Sequence, residues 1–325
     1  MLQAKNISLP AKRFDRDFFK SIAVYLILIA MLLLAELFSP GYLKLSHMIG
    51  ILRISSFMGI AAIGQTFAIL TGGIDLSIAN TISFSYIIAA QVMMGQNQNV
   101  LPALGEALLL GLVVGLINGT SVCFLNIPPF IMTLGVSSVI QGAYMIFTQG
   151  APKGNTAPIV SDISNKSLFG AVSGVVLIWL LLAVLSILVL KRTPFGRRIY
   201  SVGSNPVASK FSGINTKWVI CSVYILSAVV ASLTGFLLIG YTGTSYLDAG
   251  AKYSTSIIAA VVIGGTAITG GKGGYMGTMA GAVIMTVLED FLNIISIPQA
   301  GRQIIEGVLI LILILIYGRE KIKKA

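Results

Sequence analysis

Asp75 is the only charged residue between Arg53 and Glu106. It lies in "AILTGGIDLSIAN", Ala68 to Asn80, within a long apolar region. A carboxylate in hydrocarbon costs about 2.5–3.5 kcal/mol at a helix centre on insertion scales. Such a group either lines a polar path or is held by hydrogen bonds. Gly72 and Gly73 can end one helix just before it. The next helix can start near Asp75, whose carboxylate would accept backbone N–H groups at the positive end of the helix dipole. A capped break is the expectation, and a path-lining charge is its rival.

Other reactive residue types support no catalysis. His47 is the one histidine, so a metal triad or zinc-protease pair cannot be built, and an interfacial loop residue is expected. Cys123 and Cys221 follow no metal spacing and are read as packing residues without a disulfide. Glu289 and Asp290 are adjacent, so on a helix they point about 100° apart. "GGTAITGGKGG", Gly264 to Gly274, is not a phosphate loop: Thr266 stands where the pattern needs glycine, and Gly273 where it needs Ser or Thr. Gly264, Gly265, Gly270, Gly271 and Gly273 read instead, like Gly72 and Gly73, as helix breaks or close-packing positions.

The elements that must position these residues are membrane helices. The chain has 325 residues, 56% hydrophobic and 10% charged. Its mean hydropathy is +0.92. Long continuous apolar runs recur, each able to cross a hydrocarbon core of about 30 Å. Their continuity excludes a β-barrel, whose strands alternate. The sequence therefore predicts an all-α, polytopic helical membrane protein of about ten transmembrane helices. Spans are placed near 20–38, 48–70, 74–94, 101–125, 129–148, 168–190, 217–240, 253–270, 274–296 and 302–318. The first is read as a retained helix, because Glu36-Leu-Phe-Ser-Pro40 lacks a small-residue cleavage site.

With the N-terminus placed inside, 16 of the 22 Lys and Arg residues fall on the inner side. The positive-inside tendency then gives N- and C-termini in the cytoplasm and an even number of spans. The net charge of +11 is thus an orientation signal and not a nucleic-acid footprint. A tail, 1–20, precedes a transmembrane unit, 21–318, and a second tail, 319–325, follows. No hydrophilic stretch is long enough for a soluble ATPase domain.

The inside loop, 191–217, is the most informative polar stretch. Asn205 can cap a helix, Pro206 suits its first position, and Gly213 can end it in the left-handed conformation. That helix, of about seven residues, cannot stand alone in water. Either it lies at the interface as an ordinary basic loop or it docks a cytoplasmic partner.

"GRRIYSVGSNPVASKFSGI" resembles the cytoplasmic loop of the ribose, xylose and arabinose permeases of ABC importers. "ILTGGIDLS", "AAVVIGGTAITGGKG" and the "GTMAGA" run match that family in the same order, over roughly 20–318. Departures fall at Ser254 and Ser256, where acidic residues are frequent, and at Glu289-Asp290, where paired asparagines are frequent.

The resemblance implies a type II-like permease with a pseudo-symmetric repeat in the bacterial inner membrane. It implies a second permease subunit, identical or sister, and an extracytoplasmic solute-binding protein delivering a monosaccharide or similar polar solute. It also implies cytoplasmic ATPase subunits that bind ATP and Mg, this chain holding no cofactor. The coupling residues would be Gly203, Ser204, Asn205, Pro206, Ala208, Ser209, Lys210, Phe211 and Gly213. Candidates for the solute path are Gln65, Asp75, Ser77, Asn80, Asn118, Asn126, Thr133 and Asn293, with Phe130 able to stack on a sugar. For each of these, the alternative is a helix–helix hydrogen bond worth about 0.6 kcal/mol. A rival function is a stand-alone ion-coupled transporter with Asp75 as its cation or proton site.

Overall fold

The computed structural model describes residues 15–168 and 172–322. The expected tails, 1–20 and 319–325, lie partly outside them. The described helices, in chain order, are α1 (Asp15–Phe38), α2 (Leu45–Leu70), α3 (Ile78–Met93), α4 (Val100–Phe124), α5 (Pro129–Thr148), α6 (Pro158–Asn165), α7 (Gly174–Arg192), α8 (Pro194–Ser204), α9 (Pro206–Phe211), α10 (Thr216–Thr242), α11 (Tyr253–Ile263), α12 (Tyr275–Ile294) and α13 (Gln299–Ile322). A single 3₁₀ turn, Asn97–Asn99, leads into α4. Strands β1 (Ser167–Leu168) and β2 (Val172–Ser173) pair antiparallel in a small hairpin.

The protein is an all-α, polytopic membrane protein apart from that hairpin. Among the described residues, six helices are long and apolar enough to cross a membrane, counting α4 with its 3₁₀ turn. Local chemistry sets many boundaries. Pro129 opens α5, and Gln149 closes it in the left-handed conformation at φ +52°. Gly72, at φ +84°, turns the chain sharply after α2.

Three expected spans need correction. The span 253–270 contains an 11-residue helix, α11. At 1.5 Å per residue α11 is about 16 Å long, roughly half a hydrocarbon core. It stops because Gly264 and Gly265 turn the chain, with the Thr266 N–H bonded back to Val261 O at 3.2 Å. The span 74–94 starts at Ile78, and the span 168–190 starts at Gly174, after the hairpin. His47 is also not a loop residue. It sits in the first turn of α2, with Nε2 3.0 Å from Asp290 Oδ2.

Helix α10 is the centre of the bundle and packs on α4, α3 and α2. Its contact with α4 runs along Gly111, Gly115 and Gly119, four residues apart on one face. A methyl group at these positions would lie 2.5, 2.5 and 2.9 Å from the nearest α10 atoms. Small residues replace hydrophobic driving force between membrane helices, because they let backbones approach. Cys123 and Cys221 are buried and free near this seam.

Candidate functional site

The break between α2 and α3 folds back into the bundle. Asp75 is 3% exposed. Its Oδ1 accepts from the Ser77 N–H at 2.9 Å and from Ser77 Oγ at 2.6 Å, and its Oδ2 accepts from Ser227 Oγ of α10 at 2.7 Å. The Asp75 N–H donates to Gln65 Oε1 at 3.3 Å, and Asn118 Nδ2 donates to Ser77 Oγ at 2.9 Å. The carboxylate thus ties α10 to the start of α3, and the Asp75 N–H and Ser77 Oγ add α2 and α4. Thr133 holds α5 to the same break: its Oγ1 accepts from the Leu76 N–H at 3.1 Å and donates to the carbonyl of Pro129 at 2.9 Å. Asn80 Nδ2 donates to Ser137 O and Oγ, both at 2.9 Å.

Gln65, Asp75, Ser77, Asn80, Asn118 and Thr133 are therefore brought together around the break. Asn126, exposed at φ +55°, Phe130, 55% exposed, and Asn293, exposed near the end of α12, lie outside this network. Three polar atoms of fully buried side chains in this region have no hydrogen-bond partner: Gln65 Nε2, Asn118 Oδ1 and Tyr224 Oη. Tyr224 faces the glycine break, because a methyl group on Gly73 would lie 2.3 Å from its hydroxyl.

The glycine segments converge at one junction with the end of α8. The Gly271 N–H donates to Leu70 O at 2.9 Å. A methyl group on Gly203 would meet Leu70 O at 1.8 Å and Gly271 N at 2.7 Å. Gly270, at φ +82°, abuts Gly203 and Gly72, and Gly271, at φ +71°, abuts Ser204. Tyr200 Oη donates to Gly273 O at 2.9 Å. Burial raises the Tyr200 phenol above its ordinary value, which keeps it a donor at neutral pH. The close approach leaves no room for a side chain at Gly203 or Gly271, and Gly72, Gly270 and Gly273 are needed for their positive φ. Gly264 packs separately against Gly277 of α12.

Beyond the junction, α8 and α9 form a polar pair. Thr193 caps α8 by accepting from the Gly196 N–H at 3.2 Å. Asn205 caps α9 by accepting from the Ala208 N–H at 2.9 Å, and Gly213 turns the chain at φ +79°. Helix α9 spans six residues, close to the expected seven. Phe211 is 88% and Val207 63% exposed. Between the two helices lies an open cavity of about 390 Å³, bordered by Tyr200, Ser204, Asn205, Ala208 and Ser212.

Sequence reasoning missed α8, although Thr193-Pro194 carries the same start signal as Asn205-Pro206. It also missed Ser227 and Tyr200. Nothing local marks either, because their partners lie 152 and 73 residues away in sequence.

Residues 47–315 match the family described as branched-chain amino acid transport system / permease component. The chain is 32% identical to the ribose import permease protein RbsC of Escherichia coli K12 over 305 residues, covering 93% of this chain and 94% of the relative. It is 33% identical to the RbsC protein of Haemophilus influenzae, covering 90% and 91%. It is 28% identical to the galactose/methyl galactoside import permease protein MglC of H. influenzae, covering 95% and 97%. No solved structure matches. Matched over most of its length by the family model and by these relatives, the chain belongs to the branched-chain amino acid transport system / permease component family.

Proposed function

We propose that this chain is the membrane permease of an ATP-driven importer that carries a monosaccharide or similar neutral polar solute into the cell. The family description names amino acids, but relatives matched over more than 90% of the chain are named for ribose and galactose. In this reading the bundle makes about ten crossings, 243–252 and the half-length α11 together forming one of them, with both termini cytoplasmic. It pairs with a second permease chain and receives solute from an extracytoplasmic binding protein. Cytoplasmic ATPase subunits, which bind ATP and Mg, dock on α9 through Asn205–Gly213.

One observation carries the reading: the exposed, capped α9 continues from α8, whose end is locked by backbone to both glycine breaks. A displacement of α9 by closing ATPase subunits therefore has a stiff route to the start of α3 and the end of α11. The Asp75 network would set the inner part of the path. The unpartnered atoms of Gln65, Asn118 and Tyr224 supply spare hydrogen-bonding capacity for solute hydroxyls. Use of Asp75 as an ion site in a stand-alone transporter is disfavoured, because both its oxygens are engaged by donors.

Deleting Ser204–Gly213 tests the docking assignment. The expected result is normal membrane insertion with loss of ATPase subunits on co-purification. Normal co-purification would sink it. Uptake driven by an ion gradient without ATPase subunits would establish the ion-coupled reading instead.

A further inference from the structure

Between α10 and α11 the chain runs without regular structure from 243 to 252, with Ala249 and Gly250 packed into the bundle. Gly250 packs against α3: its N–H donates to Ser83 Oγ at 2.9 Å, and a methyl group there would lie 2.0 Å from Ala79 O. Irregular backbone at membrane depth is tolerated where protein buries it or where it lines a water-filled cavity. Here both occur. Ala249 and Gly250 are buried, while Tyr246, Asp248, Ala251 and Lys252 are exposed. Transporter sites are commonly built where a helix is interrupted in this way.

An acid from α12, and an acid and a base from α13, meet Lys252 of this segment. Helix α12 packs closely on α11, since a methyl group on Gly281 would lie 2.0 Å from Ala260 O. With Gly264 against Gly277 and Ala260 against Gly281, that antiparallel register sets Glu289 opposite Lys252, and Arg302 lies one turn before Glu306 on α13. Glu306 of α13 is 6% exposed, and its Oε2 accepts from Ser256 Oγ at 2.9 Å. Opposite charges gathered in a partly buried place normally close to direct contact, where their attraction best offsets desolvation. Here, among the described residues, no base nitrogen lies within 4.0 Å of either carboxylate. Glu289 Oε1, Arg302 Nε and Tyr253 Oη are all buried without a hydrogen-bond partner. Tyr253 is 1% exposed, with Lys252 Nζ 4.9 Å from its ring centre.

We propose that Tyr246, Lys252, Tyr253, Glu289, Arg302 and Glu306 form a recognition site for a neutral polyhydroxylated solute. The gap between unpaired acids and bases suits hydroxyl groups, which accept from Arg302, Lys252 and Tyr253 and donate to Glu289. Two acids and two bases balance within the group, and Asp248 of the same segment is engaged by the Tyr144 hydroxyl. The Tyr246 ring, 45% exposed and fixed edge-on to Tyr86 at 5.3 Å, offers a face for sugar C–H groups. The proposal deepens the permease reading and rests on it for the solute class.

The test is protection of an Ala251→Cys variant from a membrane-impermeant maleimide, with D-ribose and D-galactose as probes. Cys123 and Cys221 are buried, so background labelling is low. Either sugar should slow labelling severalfold, and adding Glu289→Gln or Arg302→Gln should abolish the protection while ATPase co-purification stays normal. Unchanged labelling, protection that survives both substitutions, protection by glutamate or lysine alone, or a disulfide between two Ala251→Cys copies would each overturn the site. Uptake by the wild-type transporter with its ATPase and binding protein is measured in parallel. Uptake without protection refutes the site and leaves the permease reading; protection without uptake refutes the solute class of the permease reading and upholds the polyol site.

Discussion

Replacing Asp75 by Asn and by Ala separates a structural carboxylate from a charge used in transport. Both substitutions remove the buried charge, so the desolvation they recover, several kcal/mol, cancels when they are compared. What differs is the fate of three donors. Asn keeps an oxygen where Ser77 N and Ser77 Oγ now donate, at 2.9 and 2.6 Å. Its amide can donate to Ser227 Oγ, since a hydroxyl accepts as readily as it donates. Ala leaves all three without a partner in a region where both serines are fully buried. An orphaned buried donor costs about 1–3 kcal/mol. The Ser77 amide cannot turn away, whereas the two hydroxyls can partly re-aim. The Ala variant should therefore be about 2–4 kcal/mol less stable than the Asn variant.

The measurement is denaturant titration of the purified protein in micelles, beside solute uptake in cells with the partner subunits. The expected order is wild type close to Asn, with Ala well below, and uptake retained by Asn. An Ala variant within about 0.5 kcal/mol of Asn, the usual spread of inconsequential surface changes, would refute the claim that this carboxylate organises the break. Loss of uptake by a stable Asn variant would return Asp75 to the solute path as a functional charge.

The junction and the docking helix make further demands. Gly203→Ala forces a methyl group onto Leu70 O and Gly271 N. Overpacking costs about 1–3 kcal/mol, and the Gly271–Leu70 hydrogen bond adds about 1 kcal/mol; the same titration should show a drop of at least that lower figure. Asn205→Ala removes the cap of a six-residue helix, worth about 1 kcal/mol, and should reduce ATPase co-purification, with Asn205→Asp restoring it. Phe211→Ala should leave stability unchanged, because the ring is 88% exposed, while weakening ATPase retention in pull-down.

Legibility in the sequence followed the range of the interaction. Helix α9 could be read because its signals are all local: Asn205, Pro206 and Gly213 fix its start and stop by backbone chemistry alone. Helix α5 could be read for the same reason, from Pro129 at one end and Gln149-Gly150 at the other. The length of α11 could not. Hydropathy continues through 264–270, and the chain turns there because Gly264 packs on Gly277 and Gly270–Gly271 on the end of α8, all distant in sequence. Around Asp75 the break itself was legible, while Gln65, Ser77 and Asn118 read as solute-path candidates with helix–helix hydrogen bonds as the alternative, and the structure gives them hydrogen bonds at that break. The clamp to α10 was not legible, since Ser227 looks like any small polar residue in a membrane helix. The same limit hid the charged group at 252, 289, 302 and 306, whose members come together only when α11, α12 and the start of α13 are packed.

The two polar regions sit at opposite ends of the same helices, and that placement constrains how an importer could work. Helices α11 and α12 both run from the glycine junction to the charged group: α11 from Ile263 back to Tyr253, α12 from Tyr275 up to Glu289. They are locked to each other along Gly264, Gly277 and Gly281, with backbone contacts that allow little sliding. A push on the junction from α8 would therefore tilt α11 and α12 as one body. The far end of that body carries Lys252, Tyr253 and Glu289, whereas Arg302 and Glu306 belong to α13, which contacts α11 without a glycine seam. In the proposed cycle the weak boundary thus falls between α11–α12 and α13, through the unpaired acids and bases themselves. Tilting would change their spacing and with it the fit to a solute. Holding charges apart is costly in a resting structure, and it is the arrangement required if one end of the bundle is to release what the other end's motion dislodges.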